Sequence, residues 1–288
     1  MTIENSITEA ARARVAQAAD DRIRQISDAL VRHLHAFIRE VEPSQAEWKA
    51  GIDFLTRTGH MCDNLRQEFI LLSDVLGVSM LVDAINHRQD RGATQSTVLG
   101  PFYVDNPPEM PAGADIAAGL PGAPLLVEGR VTDAAGNALA GAIVDTWQAD
   151  EAGFYDVQQL DRLGGLSGRA RFRTDAEGRF HFWTVKPSSY PIPDDGPVGD
   201  LLKAQGRHPW RPAHVHFMIA APGHATLVTH VFEAGDRYLD SDVVFGVKPQ
   251  LIARIEHCPA GDAPDGRAMA QPYHRLRYDF ALAPEKGD

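Results

Sequence analysis

The chain has only two cysteines, Cys62 and Cys258. They form neither a disulfide framework nor a zinc-finger spacing, and their scarcity suits a reducing, cytoplasmic compartment. Long apolar runs are missing as well. No stretch approaches the roughly 18 apolar residues that span a bilayer. The opening MTIENSITEAARARV is polar and helix-like, without a signal-peptide core. Membrane insertion is therefore not expected. Basic residues are outnumbered, 28 Lys and Arg against 39 Asp and Glu, for a net charge of −11. That argues against nucleic acid as the main partner. What is present is a globular composition, 44% hydrophobic over 288 residues, enough for one large domain or two modest ones.

The first hundred residues have helical periodicity. Ile23, Ile26, Leu30, Leu34, Phe37, Ile38 and Val41 make one apolar stripe, which Pro43 ends. Ser44 and Glu47 form a capping box that opens a second helix through Trp48, Ile52 and Leu55, with Gly59 as its stop. A third helical region runs through Phe69 to Leu72, and SDVLGVSMLVDAIN, 73–86, predicts one more helix. Near residue 100 the character changes. A Pro- and Gly-rich connector, 100–124, leads into strand-like runs around DAAG and DAEG, whose Gly136 and Gly178 suit hairpin turns. Leu276, Tyr278, Phe280 and Leu282 alternate with polar neighbours as one half-buried strand. The expected class is α+β. An N-terminal helical domain and connector, 1–104, precede a mainly antiparallel β-sandwich with long loops, 105–288. The longest loop, 188–212, is where binding and catalysis tend to sit.

RPAHVHF, residues 211–217, places His214 and His216 on one side of a strand. Two neutral imidazoles so placed suit a metal ion. Two partner sets are open. One uses a carboxylate, Asp145, Asp156 or Asp175, and points to ferrous iron or zinc. The other uses Tyr155 in GFYDVQ and Tyr190 in SSYPIP, both at loop–strand junctions. A phenol of pKa about 10 ligates as phenolate only to a strong Lewis acid. Ferric iron fits, because two phenolates and a hydroxide would balance its charge.

These residues resemble the intradiol ring-cleavage dioxygenases. STVLGPFYV (96–104) is similar to that family's connector. LLVEGRVTDAAGNALAGAIVDTWQADEAGFYD is similar to its first β segment, and YPIPDDGPVG and HPWRPAHVHF to its remaining ligand segments. The resemblance implies one Fe(3+) per subunit, held by Tyr155, Tyr190, His214 and His216. It implies Tyr190 as the tyrosine that leaves the metal when substrate binds, and Arg211 as the group that stabilises charge on the ring. It also implies a homodimer through the N-terminal helices, with phospholipid between them. LLSDVLGVSMLVDAIN, GRHPWRPAHVHFMI and THVFEAGDRYLDSDVVFGVK are most similar to the hydroxyquinol 1,2-dioxygenases within the family. The expected substrates are then benzene-1,2,4-triol and O2, and the product 3-hydroxy-cis,cis-muconate, which tautomerises to maleylacetate. Cleavage of catechol or chlorocatechol is the alternative. Residue-wise transfer lines the pocket with Leu71, Asp74, Val98, Leu99, Gly100, Pro101, Phe102, Ile192, Pro193, Arg211 and Val244.

Catechol-cleaving relatives usually carry Pro at the position of Asp74 and Gln at that of His230. Asp74 could accept a hydrogen bond from the third hydroxyl, or only cap the following helix. His230 is either a hydrogen-bond partner near Arg211 or a plain strand residue. Two other functions compete. A zinc hydrolase or ferrous oxygenase would be colourless and indifferent to both tyrosines, and a non-catalytic β-sandwich binding module would hold no iron.

Overall fold

The computed structural model describes residues 2–63, 66–88, 92–117 and 119–285. The chain forms two compact units, Met1–His60 and Met61–Asp288. The first holds α1 (Ile3–Val15), α2 (Asp21–Val41) and α3 (Gln45–His60). Asp20 caps α2 by accepting the N–H of Ile23, and Pro43 lies just beyond its end. The Ser44–Glu47 capping box forms in both directions: Ser44 N–H donates to Glu47, and Glu47 N–H to Ser44 Oγ. Gly59 is not the stop, since α3 runs one residue further. The apolar stripe of α2 stands exposed, with Leu30 63% and Phe37 55% accessible.

The second unit begins with α4 (Glu68–Val75) and α5 (Val78–Asn86). The sequence pattern suggests one helix over 73–86. The chain instead breaks at Gly77, whose φ of +72° ends one helix and opens the next. Then come β1 (Pro124–Asp133), β2 (Ile143–Trp147), α6 (Leu160–Leu163), β3 (Arg169–Arg173), β4 (Arg179–Val185), β5 (Tyr190–Pro191), α7 (Pro197–Ala204), β6 (Trp210–Arg211), β7 (His214–Ala220) and β8 (Leu227–Glu233). The chain closes with β9 (Ile252–Ala253), β10 (Ile255–Cys258), β11 (Gly261–Asp262), β12 (Ala268–Met269), β13 (Tyr273–Arg277) and β14 (Phe280–Leu282).

Two sheets face each other. One runs β10–β13–β1, with β4 and β14 also paired to β1, and the other runs β3–β2–β7–β8–β9. Most ladders are antiparallel, while β1 pairs with β13 and β14, and β8 with β9, in parallel. The strand expected at 275–282 is interrupted at Tyr278 and Asp279, yet both halves follow β1. The DAAG and DAEG turns form, with Asp133 and Asp175 each accepting backbone N–H groups across the turn. The DAAG turn closes only a short antiparallel contact, Thr132 opposite Ala138, and neither turn joins neighbouring strands of one sheet. Each passes the chain from one sheet to the other: β1 to β2, and β3 to β4. The reason is packing. Val127 and Val131 of β1, Val144 of β2, Phe172 of β3 and Phe182 of β4 must all enter one core with Val215, Phe217 and Ile219 of β7. Each fully buried aromatic there contributes about 1.5–3 kcal/mol.

Alternation along β7 then dictates the site. Val215, Phe217 and Ile219 fill the core between the sheets, so His214 and His216 point to the opposite face. That face is covered as well, because both histidines are only 2% exposed.

Candidate active site

Three neighbours of β7 complete this face. On β2, Trp147 is paired with His216, and its indole lies flat on the imidazole with centroids 4.6 Å apart. On β8, His230 lies directly opposite His216, and Phe232 opposite His214. The β5–β6 pair sets Tyr190 beside Arg211. Tyr155 follows β2 and is completely buried. Its backbone is fixed by Gln158, whose side chain accepts the Tyr155 N–H at 2.9 Å. Phe102 stacks on its ring at 4.4 Å.

The reactive atoms converge. Tyr155 Oη lies 2.9 Å from Nε2 of His216 and 3.3 Å from Tyr190 Oη. The two Nε2 atoms of His214 and His216 are 3.1 Å apart. His214 Nδ1 donates to the Pro212 carbonyl at 2.7 Å, which leaves the Nε2 lone pair facing inward. Burial, aided by the positive Arg211, holds the His214 imidazole well below its usual pKa. His216 is depressed in the same way by burial, then by His230, His214 and Arg211. Burial likewise pushes the Tyr155 phenol well above its usual range, and Tyr190 pushes it further. Neutral imidazoles and a phenol that resists ionisation, packed oxygen to nitrogen, suit a cation that draws off the phenol protons. The donor set fits a metal ion.

His214, His216 and His230 offer ligand atoms within 4.8 Å of one another and could hold a metal. The carboxylates of the alternative ligand set are engaged elsewhere. Asp145 takes a bidentate pair from Arg171 and the Tyr103 hydroxyl. Asp156 is gripped by Arg169, whose Nε lies 2.6 Å from Oδ2. Asp175 is spent on its turn.

Arg211 is 3% exposed. Burial alone would lower its pKa, but Asp242 and the neighbouring tyrosines raise it, so the guanidinium stays charged. NH1 lies 3.5 Å from His214 Nε2, and NH2 3.4 Å from His230 Nδ1. Asp74 is buried within the field of Arg211 and Asp242. Burial raises its carboxyl pKa, while Ser79 and Arg211 pull it down.

A cavity of about 440 Å3 opens alongside, lined by Leu71, Pro101, Phe102 and Pro193 together with Arg66 and Gln158. Ile192 and Val244 pack with Leu71 in one apolar cluster. Gly100 backs onto His216, and the Val98 backbone reaches His230. Leu99 is 39% exposed, and it lies outside the cavity lining, as do Asp74, Val98, Gly100, Ile192, Arg211 and Val244. Two residues of the site had no role from sequence. Asp236 Oδ2 accepts both the Ala213 N–H at 2.9 Å and the Ser189 hydroxyl at 2.6 Å, joining the Tyr190 segment to the His214 segment. Asp242 pairs with Arg211. Both lie in GDRYLDSD, where Asp236, Arg237, Asp240 and Asp242 together look like a solvated turn.

Residues 98–284 match a family described as "Dioxygenase", and residues 20–94 one described as "Catechol dioxygenase N terminus". The chain is 53% identical over 281 residues to a 6-chlorohydroxyquinol 1,2-dioxygenase of Cupriavidus pinatubonensis, covering 98% of both chains. It is 51% identical to a hydroxyquinol 1,2-dioxygenase of Nocardioides simplex, covering 92% of this chain and 90% of that one. A solved hydroxyquinol 1,2-dioxygenase from Pseudomonas putida superposes with a TM-score of 0.92 at 49% identity, covering 98% of this chain and 99% of the other.

Proposed function

The chain belongs to the intradiol ring-cleavage dioxygenase family, and from that premise we propose that it cleaves hydroxyquinol, benzene-1,2,4-triol, between its adjacent hydroxyl-bearing carbons. The other substrate is O2, both of whose atoms enter the product. That product is 3-hydroxy-cis,cis-muconate, which tautomerises to maleylacetate. The observation that carries the proposal is the convergence of Tyr155 Oη, Tyr190 Oη and the two Nε2 atoms of His214 and His216.

These four residues would hold one ferric ion per subunit. Bound there, it would supply the Lewis acidity that ionises phenols and diol, and the redox chemistry that opens the ring to O2. The protein's own part is binding, proton handling and charge stabilisation. Tyr190 Oη, as phenolate, takes up one diol proton as substrate binds and a displaced hydroxide would take the other, so no separate base is needed. Tyr155, fully buried and stacked under Phe102, stays in place. Arg211, still charged, stabilises negative charge spreading over the ring, a contribution of about 10²–10³ in rate for a preorganised donor. Leu71, Pro101, Phe102, Ile192, Pro193 and Val244 clasp the flat apolar ring, and Val98, Leu99 and Gly100 form the loop behind it. Asp74 accepts the third hydroxyl, which distinguishes hydroxyquinol from catechol.

Residues 105–288 carry the ligands, α4 supplies pocket wall through Leu71 and Asp74, and the exposed α2 stripe gives a homodimer contact where phospholipid also sits. The protein works in the cytoplasm, and no helix among the described residues is long and apolar enough to cross a membrane.

The test is spectroscopic and kinetic. Iron-loaded protein should absorb visible light through tyrosinate charge transfer, and the band should shift when hydroxyquinol is added without oxygen. Oxygen uptake should then be fastest with hydroxyquinol, ahead of catechol and chlorocatechols. A colourless zinc protein would defeat the proposal.

A further inference from the structure

Arg211 is held along one edge only. Its Nε donates to Asp242 Oδ1 at 3.1 Å and its NH2 to Oδ2 at 3.3 Å. The remaining amino group, NH1, faces His214. A guanidinium is a planar fork, so whatever grips its Nε–NH2 edge fixes the direction of NH1.

Asp242 is itself 5% exposed, and its remaining acceptor capacity goes to the backbone of one tight turn. The Gly246 N–H donates to Oδ2 at 2.9 Å and the Val244 N–H to Oδ1 at 3.4 Å. Phe245 donates to the Asp242 carbonyl at 3.0 Å and holds a φ of +60°, which a bulky residue adopts only when its surroundings impose it. The turn presents Val244 to the cluster that contains Leu71 and Ile192. One carboxylate thus ties the cation beside the histidines to the apolar wall.

We propose that Asp242 is a positioning residue for ring cleavage: anchored in the 242–246 turn, it grips Arg211 and so aims NH1 at the bound substrate. The proposal rests on assigning intradiol cleavage to this site. A purely structural role would make Asp242 a counter-ion whose loss lowers stability and leaves chemistry intact.

Gly246 allows the geometry to be changed without touching a charge. A Cβ there would lie 3.0 Å from Arg211 NH2 and 3.1 Å from Asp242 Oδ2, so Gly246→Ala must displace one or both by a few tenths of an ångström.

The experiment uses full-length, iron-loaded protein, oxygen uptake with hydroxyquinol, and anaerobic hydroxyquinol titration followed by the visible band. Asp242→Asn should lower kcat about as much as Arg211→Ala, on the order of 10²-fold, with little change in the anaerobic dissociation constant. Asp242→Glu should recover part of the loss, and Gly246→Ala should lower kcat while melting near the wild-type temperature. The double variant Arg211→Ala/Asp242→Asn should match Arg211→Ala within about twofold, because Asp242 acts through the arginine. Wild-type kcat in folded Asp242→Asn, or a double-variant loss equal to the product of the single losses, would overturn the proposal. If Asp242→Asn leaves the buried cation unpaired and fails to fold, Gly246→Ala decides, and unchanged kcat there overturns it. Absence of ring cleavage in the wild type would instead overturn the assigned activity, so the two failures are distinct.

Discussion

Gly100 presents bare backbone to the imidazole of His216: a Cβ on it would come within 3.2 Å of Cε1, and its φ is +79°. His216 has little freedom to move, with Trp147 stacked 4.6 Å away on its ring and His230 4.1 Å away. Gly100→Ala would therefore carry backbone strain of about 1–2 kcal/mol and press on a proposed ligand. The expected outcome is a fall in iron affinity of about 10–100-fold, the usual effect of disturbing the shell around a metal ligand. Iron content after dialysis against a graded chelator measures it, and wild-type retention would show that His216 tolerates the contact.

The two tyrosines should not be equivalent. Tyr155→Phe removes the oxygen that sits 2.9 Å from His216 Nε2 in a fully buried position. It should abolish the visible band and most iron binding. Tyr190→Phe should keep more of the iron with a weakened, shifted band, yet lose kcat by at least about 10²-fold, the contribution typical of a positioned proton acceptor. Metal analysis beside the absorption spectrum separates the two. Intact metal in both variants, with no visible band in them or in the wild type, would return the site to a histidine–carboxylate set, although Asp145, Asp156 and Asp175 are all engaged.

Much of this arrangement was legible in the sequence. The HVH spacing placed both imidazoles on one face because strand alternation is local. The Ser44–Glu47 box announced α3 because capping needs only four residues. What stayed hidden depends on distant partners. The DAAG and DAEG turns look like hairpins locally, but Val131 and Val144 belong to opposite walls of one core, so the chain crosses between sheets. His230 becomes a neighbour of His216 only through the β7–β8 register. Asp236 and Asp242 sit in a charged run that resembles a surface loop, and only the folded chain brings Ala213 and Arg211 to them. Gly77, inside an apolar run, was a breaker whose effect the surrounding helical pattern masked.

The stripe on α2 makes a prediction of its own. Leu30 and Phe37 are more than half exposed in the isolated chain. Burying each against a partner would contribute about 1.5–3 kcal/mol, so charges there should disfavour association. Leu30→Glu/Phe37→Glu should sediment as a monomer under conditions where the wild type is a dimer, with the visible band of the iron site retained. A wild-type dimer in the double variant would move the interface away from this face.

Asp74 offers the sharpest pH test. Burial raises its pKa above the ordinary 3.8, outweighing the pull of Ser79 and Arg211. The folded chain therefore holds this proton more tightly than the unfolded chain does. Its contribution to stability is greatest below the unfolded value near 3.8 and declines as pH rises to the folded pKa, at no more than about 1.4 kcal/mol for each pH step of one. Asp74→Asn removes that decline. In metal-free protein the buried histidines make both chains more stable as pH rises, and subtraction removes that common trend, so the melting temperature of Asp74→Asn minus that of the wild type should rise as pH goes from about 4 towards 7. A difference that stays flat would mean that Arg211 fully compensates the burial. The same variant bears on substrate choice. A carboxylate that receives the third hydroxyl favours hydroxyquinol over catechol by the energy of a charged hydrogen bond, about 1.5–3 kcal/mol. The ratio of kcat/KM for the two substrates should accordingly fall about 10–100-fold in Asp74→Asn, mostly through the hydroxyquinol value. An unchanged ratio would reduce Asp74 to a buried residue of the α4 terminus.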